Sequence, residues 1–121
     1  MADLAVTPTT FIPKKLATGQ LAAASAVLYT VPADTATKVT TILLVNDTTT
    51  TATVTFHFCD NGGGETDLNI ICKTMSIPPC VPVILNFGPH GFYLNATDTI
   101  EGFASAADQI TYHISGVEES A

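Results

Sequence analysis

The sequence predicts an all-β protein: a single antiparallel β-sandwich, jelly-roll-like, of about eight short strands with an extended N-terminal arm. Three observations predict it. Threonine supplies about one residue in six of the 121 and tryptophan is absent, and a β-branched side chain suits a pleated, half-buried surface better than a helix. Short runs of period-two alternation recur along the chain, separated by glycine, proline, asparagine or aspartate. No long stretch carries helical periodicity.

The elements follow in order. Residues 1–15 read as an extended assembly arm, apart from the sandwich domain of residues 16–121. Pro8 and Pro13 forbid a helix there, and Lys14 and Lys15 are half of the four lysines in a chain without arginine. Residues 16–26 are alanine-rich and fit either a short helix over 21–26 or a turn leading to an edge strand. In the strand over 27–31, Val27, Tyr29 and Val31 share one face. Pro32, Ala33 and Asp34 turn the chain. The strand over 37–46 is apolar on both faces at residues 42–45, which suits cover from both sides. A polar hairpin at Asn46 and Asp47 leads to residues 52–59, where Val54, Phe56 and Phe58 point inward and Thr53, Thr55 and His57 outward. After the glycine-rich loop 60–67 comes a strand over 68–77, ended by Pro78 and Pro79. Val81, Val83, Leu85 and Phe87 share the inner face of the next strand, which Pro82 places at a sheet edge. Short strands over 92–94 and 99–104 precede the last, over 109–117, with Ile110, Tyr112 and Ile114 inward. No repeat, linker or second domain is visible.

Composition narrows the function. Eleven acids against four lysines leave a net charge of −7. This argues against nucleic acid, whose backbone needs clustered cations, and against an anionic membrane surface. Charged residues make up 12% of the chain, about half the usual share, so part of the surface is expected to be covered by other subunits. Residues 1–10 carry Asp3 and no basic stretch, unlike a secretory signal, and the apolar run 42–45 is far short of a membrane span. Cys59, Cys72 and Cys80 are an odd number, which favours reduced thiols over a disulfide framework.

Three constellations are candidates for chemistry. Asp60, Glu65 and Asp67, with Asn61 around three glycines, offer oxygens for calcium. The spacing is not that of an EF-hand, and a plain hairpin loop is the preferred reading. His57 and Cys59 sit two apart on one strand face and could join Cys72 and Cys80 around zinc, but the spacing lacks the paired ligands of structural zinc sites. Buried thiols are preferred. No Gly-x-Ser-x-Gly elbow or nucleophilic cysteine motif occurs, and without arginine there is no bidentate anion clamp. No catalytic residue, cofactor or metal is therefore assigned. The Asn46-Asp47-Thr48 and Asn95-Ala96-Thr97 triplets match glycosylation acceptors, but carry no weight without a secretory signal.

Several stretches together resemble the small β-sandwich virion proteins of tailed bacteriophages. They are residues 16–21; residues 27–46, with LYTVPA at 28–33; residues 92–100, with YLNATDTI at 93–100; and residues 110–118, ending in ISGVE. The resemblance spans most of residues 16–118 but not the loop 60–67 or residues 77–82. It implies a non-enzymatic structural protein of the virion. The expected role is a capsid decoration (cement) protein, a homotrimer bound to the outer capsid lattice and its major capsid protein. A tail or fibre module contacting a host surface is the alternative. A carbohydrate-binding sandwich is a further rival, disfavoured because Phe56, Phe58, Phe87 and Tyr112 are expected inside.

Overall fold

The computed structural model describes residues 10–60, 64–66 and 68–120. Among these the chain forms nine strands: β1 (Thr10–Gln20), β2 (Ala26–Thr30), β3 (Thr35–Asn46), β4 (Ala52–Cys59), β5 (Ile70–Ile77), β6 (Val83–Asn86), β7 (Phe92–Leu94), β8 (Thr99–Ala104) and β9 (Ile110–Ser120). All pair antiparallel, in two sheets: β1-β9-β3-β6, with β7 also on β3, and β2-β8-β4-β5. The strand orders are those of an eight-stranded jelly roll with its sixth strand split into β6 and β7. β6 pairs with residues 41–44 of β3 and β7 with residues 37–39. The turn at Gly88, Pro89, His90 and Gly91 bulges out opposite Thr40, whose carbonyl accepts the Phe87 N–H at 2.9 Å. Hence there are nine segments where the sequence suggests about eight.

The core lies between the sheets. Ile42 and Leu44 of β3 and Ile110 and Ile114 of β9 meet Val54 and Phe56 of β4, Ile100 of β8 and Ile77 of β5. Phe56 is the largest fully buried side chain, and its burial stabilises by roughly 1.5–3 kcal/mol. The neighbouring strand makes room for it with Gly102, where a Cβ would lie 2.7 Å from the Phe56 ring. Asn46, also fully buried, closes one end. Its amide donates to the carbonyls of Thr50 (2.7 Å) and Ile77 (3.1 Å), its side-chain oxygen accepts from the Thr48 N–H and hydroxyl, and its carbonyl accepts from Cys80 N–H. One side chain thus ties the β3–β4 hairpin to the chain leaving β5.

Several expectations change. Residues 16–20 continue β1, and residues 21–25 are a turn into the edge strand β2, not a helix. Leu21 within that turn is fully buried, its N–H bonded to the Ile110 carbonyl at 2.9 Å. Val27 does not share the inner face with Val31: a bulge between Val27 and Tyr29 interrupts the alternation, leaving Val27 55% exposed and Val31 1%. His57 is buried, not solvent-facing, because the segment before β5 covers it. Val81 is exposed, since the chain turns at Cys80 in a left-handed conformation (φ 60°) before β6 begins. Val83, Leu85 and Phe87 pack against the core only partly buried. The outer side of residues 42–45 is only half covered, with Leu43 and Val45 of intermediate exposure.

Candidate assembly surface

From Thr10 onward the expected arm is the first half of β1, so the boundary drawn after residue 15 falls within a strand. Pro8 lies outside the described residues. β1 pairs with β9 from Thr10↔Ser120 to Gln20↔Thr111 and, among the described residues, has no partner on its other side. Pro13, opposite Val117, is tolerated because an edge strand does not need every donor. The pairing slips between Lys15 and Ala17, a bulge that divides β1 into two halves, the first of them within the expected arm.

Lys14 pins the arm half. Its Nζ lies 2.9 Å from Glu118 Oε1. The other Glu118 oxygen accepts a hydrogen bond from the Tyr29 hydroxyl, which also meets Thr37 Oγ1 at 2.9 Å. Glu118 therefore links β1, β9, β2 and β3. Burial pushes its carboxyl pKa up, but the hydrogen bonds from Tyr29 and Lys14 and the lysine charge outweigh burial and hold it below the ordinary value. Burial, reinforced by Glu118, pushes the Tyr29 hydroxyl the other way. Lys15 is exposed and forms no ion pair among the described residues.

The described part of the glycine-rich loop is organised by Asn69, a residue with no local sequence signal of such a role. Asn69 donates to the Gly64 carbonyl at 2.8 Å, accepts from Thr66 N–H at 3.1 Å, and meets His57 Nδ1 at 2.7 Å. Gly64 takes a φ of 66°. Glu65 accepts a hydrogen bond from Ser25 at the turn before β2, while Asp60 lines a cleft by β7. Asp67 lies outside the described residues. Among the described residues no three His, Cys, Asp or Glu side chains are grouped to hold a metal ion.

The cysteines and His57 do not converge either. Cys59 is buried beside Thr99 and Glu101, its thiol pushed up to about 11 by burial and then by the Glu101 charge. Cys72 sits opposite Phe56 and packs on the core, and burial raises its pKa too. Cys80 is exposed. A thiol with a raised pKa is a poor nucleophile at neutral pH.

Large exposed apolar side chains mark the sheet edges instead. Phe11 (59% exposed) and Ile12 lie on β1, Ile84 on β6, and Phe92 (45%) and Tyr93 on β7. At the side where β5 and β7 form neighbouring edges, a cleft of about 400 Å³ opens between the sheets. Its apolar wall is Phe58, stacked at 4.9 Å between ring centroids on Phe92, with Leu68 at the mouth. Its polar wall includes Asp60, Asn95 and Asp98; Asp98 is buried and accepts from Asn95 N–H at 2.9 Å. The expectation that four aromatics face inward holds for Phe56, Phe58 and Tyr112 and in part for Phe87, which packs on the core half-buried, while Phe11, Phe92 and Tyr93 are exposed. No helix among the described residues is long and apolar enough to cross a membrane.

Neither known family models nor curated proteins match this chain. Solved structures do. A chain from the Bacillus endospore appendages, described as disulfide-linked pili, superimposes with a TM-score of 0.55 at 19% identity, covering 92% of this chain and 88% of its own. A chain of infectious bursal disease virus, Gx strain, gives a TM-score of 0.50 at 10% identity, covering 91% of this chain. This protein spans only 32% of that viral chain. A looser likeness, TM-score 0.39 at 14% identity, is to a chain of the cyanophage Pam1 capsid asymmetric unit. At these identities the likeness is one of fold.

Proposed function

We propose that this chain is a non-enzymatic structural subunit of a virion, a capsid decoration (cement) protein that associates with itself as a homotrimer and binds the outer capsid lattice through the major capsid protein. One observation carries the reading: the exposed apolar residues gather at sheet edges, at Phe11 and Ile12 on β1 and at Phe92 and Tyr93 on β7. Apolar groups gathered at unpaired edges mark surfaces that other chains cover. The polar side chains are used differently. Asn46, Asn69 and Glu118 hold strands and loops together through hydrogen bonds within the chain. The jelly-roll likeness to a viral chain supports a role in a particle, although fold alone does not carry function.

A second reading is a subunit of a filament or fibre. It is favoured by the likeness to the endospore appendage chain, which extends over 88% of that chain. Sedimentation of lysates on a density gradient separates the two. A decoration protein bands with capsids. A fibre subunit bands with filaments or with tails released from heads. Recovery only as free protein contradicts both.

A further inference from the structure

We propose that copies of this chain join head to tail, the arm half of β1 on one copy seating in the cleft between β5 and β7 of the next. The inference rests on the self-association reading above and names its contact. Three observations carry it.

Both surfaces expose large apolar side chains. By strand alternation Phe11 and Lys15 leave the same face of β1, and both are solvent-exposed. The cleft offers Phe92 and, at its mouth, Leu68, which is 97% exposed, over the buried ring of Phe58. Its volume of about 400 Å³ lies within the range of sites that enclose a ligand group of side-chain size or larger.

The charges are complementary in a molecule whose overall charge is not. A chain of net charge −7 repels its copies. Yet two of its four lysines lie on β1, while Asp60 and Asp98 line the cleft. With Lys14 held by Glu118 at 2.9 Å, Lys15 is the β1 cation that remains to face Asp60, the exposed carboxylate of the cleft; Asp98 is buried in the wall and accepts from Asn95 N–H.

The two surfaces are also different and lie on different edges. β1 is at one edge of its sheet, and β6 and β7 are at the other. A contact between unlike surfaces is heterologous: it closes into a ring or grows into a filament. A ring of three is the proposed trimer, so the same contact serves either reading of the particle.

Two variants test this by sedimentation, with thermal melts showing that each folds. Phe11→Asp blocks the donor surface and Leu68→Asp the cleft; both sites are too exposed for the fold to depend on them. Each variant alone should associate at least tenfold more weakly than the wild type. Mixed in equal amounts, they should form a dimer that grows no further, because only one donor and one cleft remain intact. Variants that associate like the wild type, or a mixture that stays monomeric, would overturn the β1-to-cleft contact while leaving self-association through another surface standing. A wild type that stays monomeric up to high concentration would overturn both.

Discussion

Lys14 and Glu118 meet at 2.9 Å across the β1–β9 pair, and the same carboxylate takes a hydrogen bond from Tyr29 of the opposite sheet. Lys14 is 43% exposed at its side chain and Glu118 12%, so solvent screens the ion pair itself, which contributes up to about 1 kcal/mol. The carboxylate matters more than the pair, because it is the shared acceptor of two strands.

The first prediction follows from its titration. Glu118 is held below the ordinary carboxylate pKa in the folded chain, so the unfolded chain binds its proton first as pH falls. Its contribution to stability is present above the ordinary carboxylate range and is lost as pH falls through the lowered folded value. Thermal melts of wild type and Glu118→Gln should differ near neutral pH and converge in acid. Parallel curves at all pH values would mean that Glu118 does not couple β1 to the sandwich.

Asn46 gives the second. Asn46→Ala removes both donors to the Thr50 and Ile77 carbonyls, at a cost of about 1–3 kcal/mol for a buried group left unpaired. Urea unfolding should show a lower midpoint with little change in slope. Asn46→Asp should not recover the loss: it restores the acceptor for Thr48 but sets a carboxylate oxygen, which cannot donate, against the Thr50 and Ile77 carbonyls at a fully buried site.

The core gives the third. Phe56→Ala should destabilise by about 3–5 kcal/mol. Gly102→Ala, which adds only a methyl group, should also destabilise measurably, since its Cβ would lie 2.7 Å from the same ring. A melting temperature unchanged in either variant would contradict the packing of β8 beneath Phe56.

Thiol labelling supplies the fourth. Cys80 is exposed, Cys59 is buried with its pKa raised to about 11, and Cys72 is packed on the core. A neutral disulfide reagent should titrate Cys80 quickly, the partly buried Cys72 more slowly, and Cys59 only on unfolding. The glycine-rich loop is checked in parallel: melts in chelator, magnesium and calcium at equal ionic strength should coincide, and a shift specific to calcium would make Asp60 and Glu65 ligands.

Much of the sandwich was legible because its central strands alternate. β9 places Ile110, Tyr112 and Ile114 inward as its period requires, and β4 does the same with Val54, Phe56 and Phe58. Alternation says which residues leave one face, but not what covers the other. His57 is buried by Asn69 and the loop before β5, a cover set by tertiary placement. Leu21 was hidden because it is an isolated plug within a turn, without a period. The bulge after Val27 reverses a facing that local spacing alone would assign. At the candidate surface, the prolines and lysines drew attention to the arm, but the Lys14–Glu118 contact joins opposite ends of the chain and has no local signature. The exposure of Phe11 and Phe92 depends on being at a sheet edge, which topology decides.

The most direct test of the virion assignment is electron microscopy of purified particles labelled with gold-conjugated antibody against this chain. A decoration protein predicts label spread over the whole capsid surface, lost when the gene is deleted. Particles without label, from cells in which the protein is abundant, would contradict the assignment.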